Sequence, residues 1–444
     1  MTETPLPAAL TNAVAALWRI PPPGPNNLLS APRFVHLRDT CESLYSDAGS
    51  RDALGIALSN AVRALGLPCG LVPANTYLAL PAAAAAARLD EAFRRTHGLR
   101  VYLCPLDEAD ELPELRFGPN NIRTFTTAEL EALVDLPRLK RINSSWTFDA
   151  ARFSRFSWLV VEETYPFNRE PGQRAVPWLS MRPLDFNRDW GQIKPHRGRF
   201  PAAVEDALFA VLLAPWGDWV QNPDIDWRGF RVPWVFKADD DIFVWPAQPP
   251  SADTLSWEPD IFTDLDGEEV ELERPIRFPL NSDAVEASAW LSDAAWSALA
   301  RARKSPLFET PIAHFFVRAF LSDPLDEFLA HITTIEAALG LRRDYDRKTR
   351  PKIARQLRVT DCMAARVSAL LSAKTDGEDY RRLFDIRSLF LHGRKMDAIP
   401  GKERIAARRL ARRVVNRLIE VALSEPAPRS REDYLNDLLI RGLG

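Results

Sequence analysis

Arg387 and His392 stand five positions apart near the end of the segment Tyr380 to Gly393, which reads YRRLFDIRSLFLHG. A guanidinium is always charged, and an imidazole exchanges a proton near neutrality. Together they suit phosphodiester chemistry: the arginine holds a phosphate oxygen through a forked pair of bonds while the histidine moves a proton. Helical spacing is what would position them. Leu383, Ile386, Leu389 and Phe390 recur at i, i+3, i+4 intervals, which lays one apolar stripe against a core. Gly393 supplies the permissive residue that closes a helix. His392 then falls in the last turn, where the helix dipole favours a cationic ring and raises its pKa.

Plainer roles compete with this one. A helix-end histidine can simply bond a carbonyl, and Arg387 can pair with Asp385 or Glu336. Glu336 reads as a structural partner, inside a helical bundle, for an arginine such as Arg387. Tyr380 reads as a core or interface aromatic.

The net charge of −3 conceals an asymmetry. Residues 342–417 hold 22 Lys and Arg against 9 Asp and Glu, so this block is strongly basic and the remainder is acidic. Such a block meets a polyanion, meets the acidic part of its own chain, or forms a solvated helical face. Within it Arg394, Lys395, Arg408, Arg409, Arg412 and Arg413 are candidates for tracking an RNA backbone, with affinity falling as salt rises. The four between 408 and 413 equally suit a dimer rim or a docking face for the acidic half.

No metal site is expected. Asp239, Asp240 and Asp241 are the strongest acidic cluster, and three carboxylates between two strands more often form a solvated turn than a cation site. Asp264 and Asp266 before Gly267 fall short of a calcium loop, since position 262 is Phe. Four scattered cysteines show no CxxC pair and no histidine at ligand spacing, which fits a reducing cytoplasm. His36, His97, His196, His314 and His331 have no partner legible from sequence. No cofactor is expected, because no Walker loop, dinucleotide fingerprint or GxSxG elbow occurs. Residues 6–20 lack the basic lead-in of a signal peptide, and no apolar run of membrane-spanning length appears.

At 444 residues the chain is expected to hold two or three domains. The expected class is α+β multidomain: a mixed or β-rich N-terminal region, then an all-α bundle. In the N-terminal region, residues 1–145, helices are expected near Leu10 to Leu17, over Arg51 to Leu65 and from the alanine run 82–87 through Phe93. A strand is expected at Val101 to Cys104, and a capping box at Thr126 and Glu129 opens a helix through Leu136. Residues 146–280 hold ten of the thirteen tryptophans, and FSWLVVEETY, FRVPWVF, DIFVW and EEVELE read as strands there. Asp266-Gly267 reads as a tight turn. Over 284–424 at least five helices follow, starting at Ala284, Pro311, Pro324, Thr360 and Lys402 besides the Tyr380 segment. Residues 425–444 form a linker and a small amphipathic segment.

The C-terminal third resembles the Apea-like branch of the HEPN domains. The resemblance rests on HITTIEAALGL with Glu336, on ARVSALLS, and on YRRLFDIRSLFLHG, which fits that family's RxnH motif with four residues between Arg387 and His392. It covers about 140 of the 444 residues. It implies a HEPN-like bundle that forms a homodimer and cuts RNA without metal, in anti-phage defence or a toxin–antitoxin system. His392 would then serve as general acid or base at the 2′-hydroxyl or leaving oxygen, and Arg387 would stabilise the phosphate's transition-state charge. Glu336, Tyr380 and Ser388 would support them. The residue after the arginine is often Asn, Asp or His in that family, and here it is Ser388. The N-terminal region would sense a signal or restrain the nuclease, with a phage-derived or antitoxin protein as its partner. A non-catalytic module that binds RNA or a protein is the alternative.

Overall fold

Sequence punctuation sets many of the element boundaries. Helices α1 (Ala8–Trp18), α2 (Pro32–Leu44), α3 (Arg51–Ala64) and α4 (Ala82–Arg94) are followed by strands β1 (His97–Leu106), β2 (Leu115–Phe117) and β3 (Asn120–Thr124). Short helices α5 (Thr127–Leu133), α6 (Leu136–Ile142) and α7 (Ala150–Phe153) lead to β4 (Ser157–Pro166), α8 (Ala202–Leu212) and β5 (Phe236–Asp239). After the antiparallel pair β6 (Trp257–Thr263) and β7 (Glu269–Pro275), the chain turns helical with α9 (Asp293–Ala302), α10 (Ile312–Leu321) and α11 (Pro324–Leu339). It ends with α12 (Val359–Leu371), α13 (Lys374–Leu391), α14 (Gly401–Ala422) and α15 (Arg431–Leu443). This computed structural model describes residues 5–22, 24, 26–45, 51–110, 112–167, 200–216, 228–263, 269–280, 283, 288–346, 348–391 and 398–444.

The chain divides into two units that each draw on three separate stretches. The first comprises Met1–Pro105, Thr124–Gln192 and Pro233–Pro275; the second comprises Leu106–Arg123, Ile193–Val232 and Ile276–Gly444.

In the first unit α1 to α4 bury one stripe each, with Leu10, Val14, Leu58, Val62 and Leu89 in a common core. A second core lies under the strands. β1 runs antiparallel to β5 with Leu103 opposite Phe236, and both join Trp158 and Val160 of β4 among the residues of α5 to α7. Alternation along the strands sends Arg100, Tyr102, Glu163, Tyr165 and Asp239 to the other face. There Tyr102 donates to Glu163 (2.7 Å), Tyr165 donates to Asp239 (2.7 Å), and the Arg100 guanidinium lies 3.6 Å from the Tyr165 ring centre.

Several expectations shift. The Thr126–Glu129 capping box is present, but its helix stops at Leu133, because Asp135 adopts φ 50° and caps a new helix by accepting from Arg138 N. FRVPWVF contributes only Phe236 to a strand, since Pro233 cannot donate to a ladder. DIFVW is a turn: Asp241 accepts from Phe243 N, and Arg138 donates to the carbonyls of Asp239, Asp241 and Val244 at 2.5, 2.7 and 2.8 Å. The backbone there is satisfied by a buried guanidinium in place of a neighbouring strand. Residues 284–287 of the helix expected from Ala284 lie outside the described residues, and a separate helix starts at Asp293, where Ser292 accepts from Ala295 N. Asp266-Gly267 lies outside the described residues.

The second unit is bolted through charge. Arg366 is fully buried on α12 and grips Asp344 through both Nη atoms, at 2.5 and 2.9 Å, while also donating to the carbonyls of Leu339 and Leu435. Three segments, α11, α15 and the turn after α11, are thereby fixed to α12. Close backbone approach completes the packing. A Cβ on Gly442 would lie 2.0 Å from the Ala365 carbonyl oxygen, and one on Gly377 would lie 2.5 Å from that of Ala364. Helix α11 packs on α10 and α14, and α12 on α13 and α15. The protein is thus mixed α and β, with small antiparallel sheets and a helical C-terminal region. Among the described residues no helix is long and apolar enough to cross a membrane.

Candidate functional site

Helix α13 carries Tyr380 and Arg387 seven positions apart, which is two turns and so one face. Tyr380 and Leu383 are fully buried and anchor the helix. Toward its C-terminal end burial lapses: Arg387 and Ser388 are half-buried, and Leu389 is 41% exposed.

Glu336, one turn before the end of α11, meets this face. Arg387 Nη1 donates to Glu336 Oε1 at 3.1 Å, and its guanidinium lies 5.4 Å from the Phe384 ring centre. The other N–H groups of Arg387 make no hydrogen bond among the described residues, and its side chain is 25% exposed. Burial pushes the Glu336 carboxyl up from its ordinary value, and Arg387 pulls it back down. The Tyr380 hydroxyl has no hydrogen-bond partner among the described residues. Burial, and then the charge of Glu336, raise that phenol well above its ordinary range, so it stays a neutral donor. Ser388 makes no side-chain hydrogen bond among the described residues. The geometry thus offers one guanidinium with a carboxylate fixing one edge and free donors facing outward, which suits an incoming phosphate oxygen.

Of the sequence-derived site residues, Arg387, Glu336 and Tyr380 come together. His392, Arg394 and Lys395 lie outside the described residues. The four arginines of α14 do not share one surface. Arg408 donates to Glu327 through Nε and Nη2 at 2.9 and 2.8 Å, and Arg412 is buried beside it, so neither can follow an RNA backbone. Arg413 grips Asp376 with both Nη atoms, at 2.5 and 2.8 Å, and Arg409 is exposed.

The inward arginines belong to a cluster that sequence inspection missed. Glu327 is fully buried, with Arg228 at 3.4 Å, Arg404 at 3.7 Å and His331 Nε2 at 3.7 Å besides Arg408. Burial works to raise its carboxyl, but His331, Arg408 and Arg228 outweigh it and hold the group at about 2. Burial likewise lowers His331, whose Nδ1 has no partner among the described residues. A cavity of about 30 Å³ adjoins the cluster, walled by Trp216, Phe316 and Phe320. The i, i+4 spacing of Glu327 and His331 was the one local signal.

The other candidates resolve as structure. Asp239 accepts from Tyr165 and Arg100, Asp240 from Leu99 N and Arg95, and Asp241 caps its turn, so the acidic run is a paired turn in which Asp240 is exposed and its two neighbours are buried. Among the described residues no three His, Cys, Asp or Glu are grouped to hold a metal. The four cysteines are buried and unpaired. His314 lies 3.2 Å from Glu205, and His97 bonds Thr96. No family model, curated protein or solved structure matches the chain.

Proposed function

We propose that the C-terminal helices are the catalytic part of a metal-independent endoribonuclease of the HEPN type. Arg387 stabilises the charge that builds on the scissile phosphate, and His392, five positions later in sequence, moves the proton between the 2′-hydroxyl and the leaving oxygen. The observation that carries this reading is Arg387 itself: one Nη is held by Glu336, and its other N–H groups make no hydrogen bond among the described residues on a side chain that is 25% exposed. Glu336 sets the orientation of the guanidinium, as an outer partner does for a ligand-binding group. In this reading two copies pair across this end of the helix, so that each brings its own Arg387 to the shared groove. The N-terminal half acts as sensor or regulator, in anti-phage defence or a toxin–antitoxin system, where a phage-derived or antitoxin protein engages it.

The test is RNA cleavage by the full chain in EDTA. Wild type cuts, whereas Arg387→Ala and His392→Ala lose at least about a hundredfold in rate. Cleavage that is absent from wild type, or that survives His392→Ala, ends the proposal. Binding without cutting is the second reading, favoured by Ser388 in the place where such nucleases often carry Asn, Asp or His.

A further inference from the structure

Residues 342–358, between α11 and α12, hold eight Lys and Arg against two Asp. Two kinds of basic residue alternate here. Arg350 is buried and donates to the carbonyl of Asp344 at 2.6 Å and to that of Leu357, while Asp344 is itself clamped by Arg366. Arg343 pairs with Glu432, and Arg358 with Asp361. Arg343 and the clamped Asp344 tie the start of the segment to α15 and α12, Arg350 bonds the segment to itself, and Arg358 caps α12. By contrast Arg342, Lys348, Lys352 and Arg355 are exposed, and none makes a side-chain hydrogen bond or ion pair among the described residues.

Tyr345 follows the clamped Asp344 directly, yet it is 74% exposed. It lies within electrostatic reach of Glu336 and Arg387. At the other end of the segment, Asp361 receives both Arg358 and Arg381 of α13, at 3.1 and 3.3 Å. The start of the segment thus lies near Arg387, and its end leads into the Asp361–Arg381 contact, six positions earlier on α13. A rigid strip with an aromatic ring at one end and unpaired cations along it is costly in isolation, since like charges repel. The ligand that relieves the repulsion carries regularly spaced negative charges and flat faces for stacking.

We propose that residues 342–346 and 348–358 form a docking surface for single-stranded RNA, with Tyr345 stacking a base and Arg342, Lys348, Lys352 and Arg355 meeting phosphates on the way to Arg387. The identity of the polyanion rests on the ribonuclease reading.

The experiment measures binding of a short fluorescein-labelled single-stranded RNA to the full chain, in a His392→Ala background that leaves the probe uncut. Lys348→Gln/Lys352→Gln weakens binding about tenfold and flattens the slope of log K against log salt by about 1.4, or 0.7 for each phosphate that is no longer neutralised. Tyr345→Ala weakens binding about tenfold with the slope unchanged, and Tyr345→Phe restores it, as stacking requires. Arg417→Gln, which only breaks a surface pair with Glu420, leaves binding unchanged. All four side chains are on the surface, and unfolding curves that match wild type confirm intact folds.

No RNA binding, binding indifferent to both the lysine and tyrosine variants, or an equal loss in Arg417→Gln overturns the docking surface. Competition by polyglutamate as effective as by RNA also overturns it, in favour of an acidic protein partner. RNA held through these residues but left uncut by the protein with His392 intact removes the nuclease and keeps the surface. Cleavage that ignores these residues does the reverse.

Discussion

Arg387 of α13 and Glu336 of α11 meet at 3.1 Å although 51 positions separate them in sequence. The pair is unequal: the guanidinium reaches solvent, while burial disfavours the ionised carboxylate. Because the folded pKa of Glu336 lies above its ordinary 4.5, its stabilising contribution is full below that pH and is lost as pH rises through the folded value. Glu336→Gln removes that penalty and keeps a hydrogen-bond acceptor for Arg387. Urea denaturation at neutral pH should show a midpoint equal to or above that of wild type. Under the proposed mechanism RNA cleavage should fall about tenfold, since a neutral amide orients the guanidinium less firmly. A variant clearly less stable than wild type would mean that the ion pair itself holds the helices.

Glu327 presents the opposite case. Its carboxyl is held at about 2, so its contribution is present above 4.5 and disappears as pH falls toward 2. Glu327→Gln leaves Arg228, Arg404 and Arg408 buried or half-buried without their shared counter-charge, which should cost about 3–5 kcal/mol at neutral pH. That gap should close as pH falls through the same window. His331, lowered by burial from 6.5, adds an acid sensitivity that begins earlier, because the unfolded chain takes up a proton that the folded one resists. Denaturation midpoints of wild type and Glu327→Gln across pH 7 to 3 check both signs; parallel curves would contradict them.

Removing one partner of the Arg366–Asp344 clamp strands a charge in the core. Arg366→Met should destabilise by about 3–5 kcal/mol, and pairing it with Asp344→Leu should recover a large part of that loss. A double variant no more stable than the single one would locate the cost in backbone groups: the carbonyls of Leu339 and Leu435, which lose their donor either way, and Leu341 N, which loses Asp344 as acceptor.

What could be read from the sequence tracks how local each cause is. Helices α3, α4, α11 and α14 bury residues at helical intervals, and their spans follow from that spacing. Helix α2 buries only Phe34, Leu37 and Cys41 along thirteen residues, which stand at helical spacing but are too few among polar neighbours to mark it. The Asp241 turn could not be foreseen, because the groups that satisfy it come from Arg138, about a hundred positions away. The same holds at the site. Glu336 could be named as a partner for Arg387 because both stand in segments of clear helical spacing. The engagement of Arg408 with Glu327 spans 81 positions, and nothing in the run of arginines distinguishes inward from outward members. Helical phase around α14 decides that, with Arg408 and Arg412 one turn apart facing inward and Arg409 and Arg413 facing out.

The glycines where helices touch give a last prediction. A methyl group on Gly442 would sit 2.0 Å from a backbone oxygen of α12, and neither main chain has a rotamer by which to yield. On Gly377 the nearest atom is the Ser368 hydroxyl, which can rotate away, leaving the Ala364 carbonyl oxygen at 2.5 Å as the remaining obstacle. Alanine would ordinarily strengthen a helix interior by up to about 1 kcal/mol over glycine. Overpacking reverses that gain, so Gly442→Ala should destabilise by about 1–3 kcal/mol and Gly377→Ala by less. Because α15 packs on α12 and its Leu435 carbonyl accepts from Arg366 Nε, strain at Gly442 should also loosen the Arg366 clamp. Hydrogen exchange should then speed up in α15 first and in α12 next, before α14 responds. Uniform exchange across all three helices would show instead that they open as one unit.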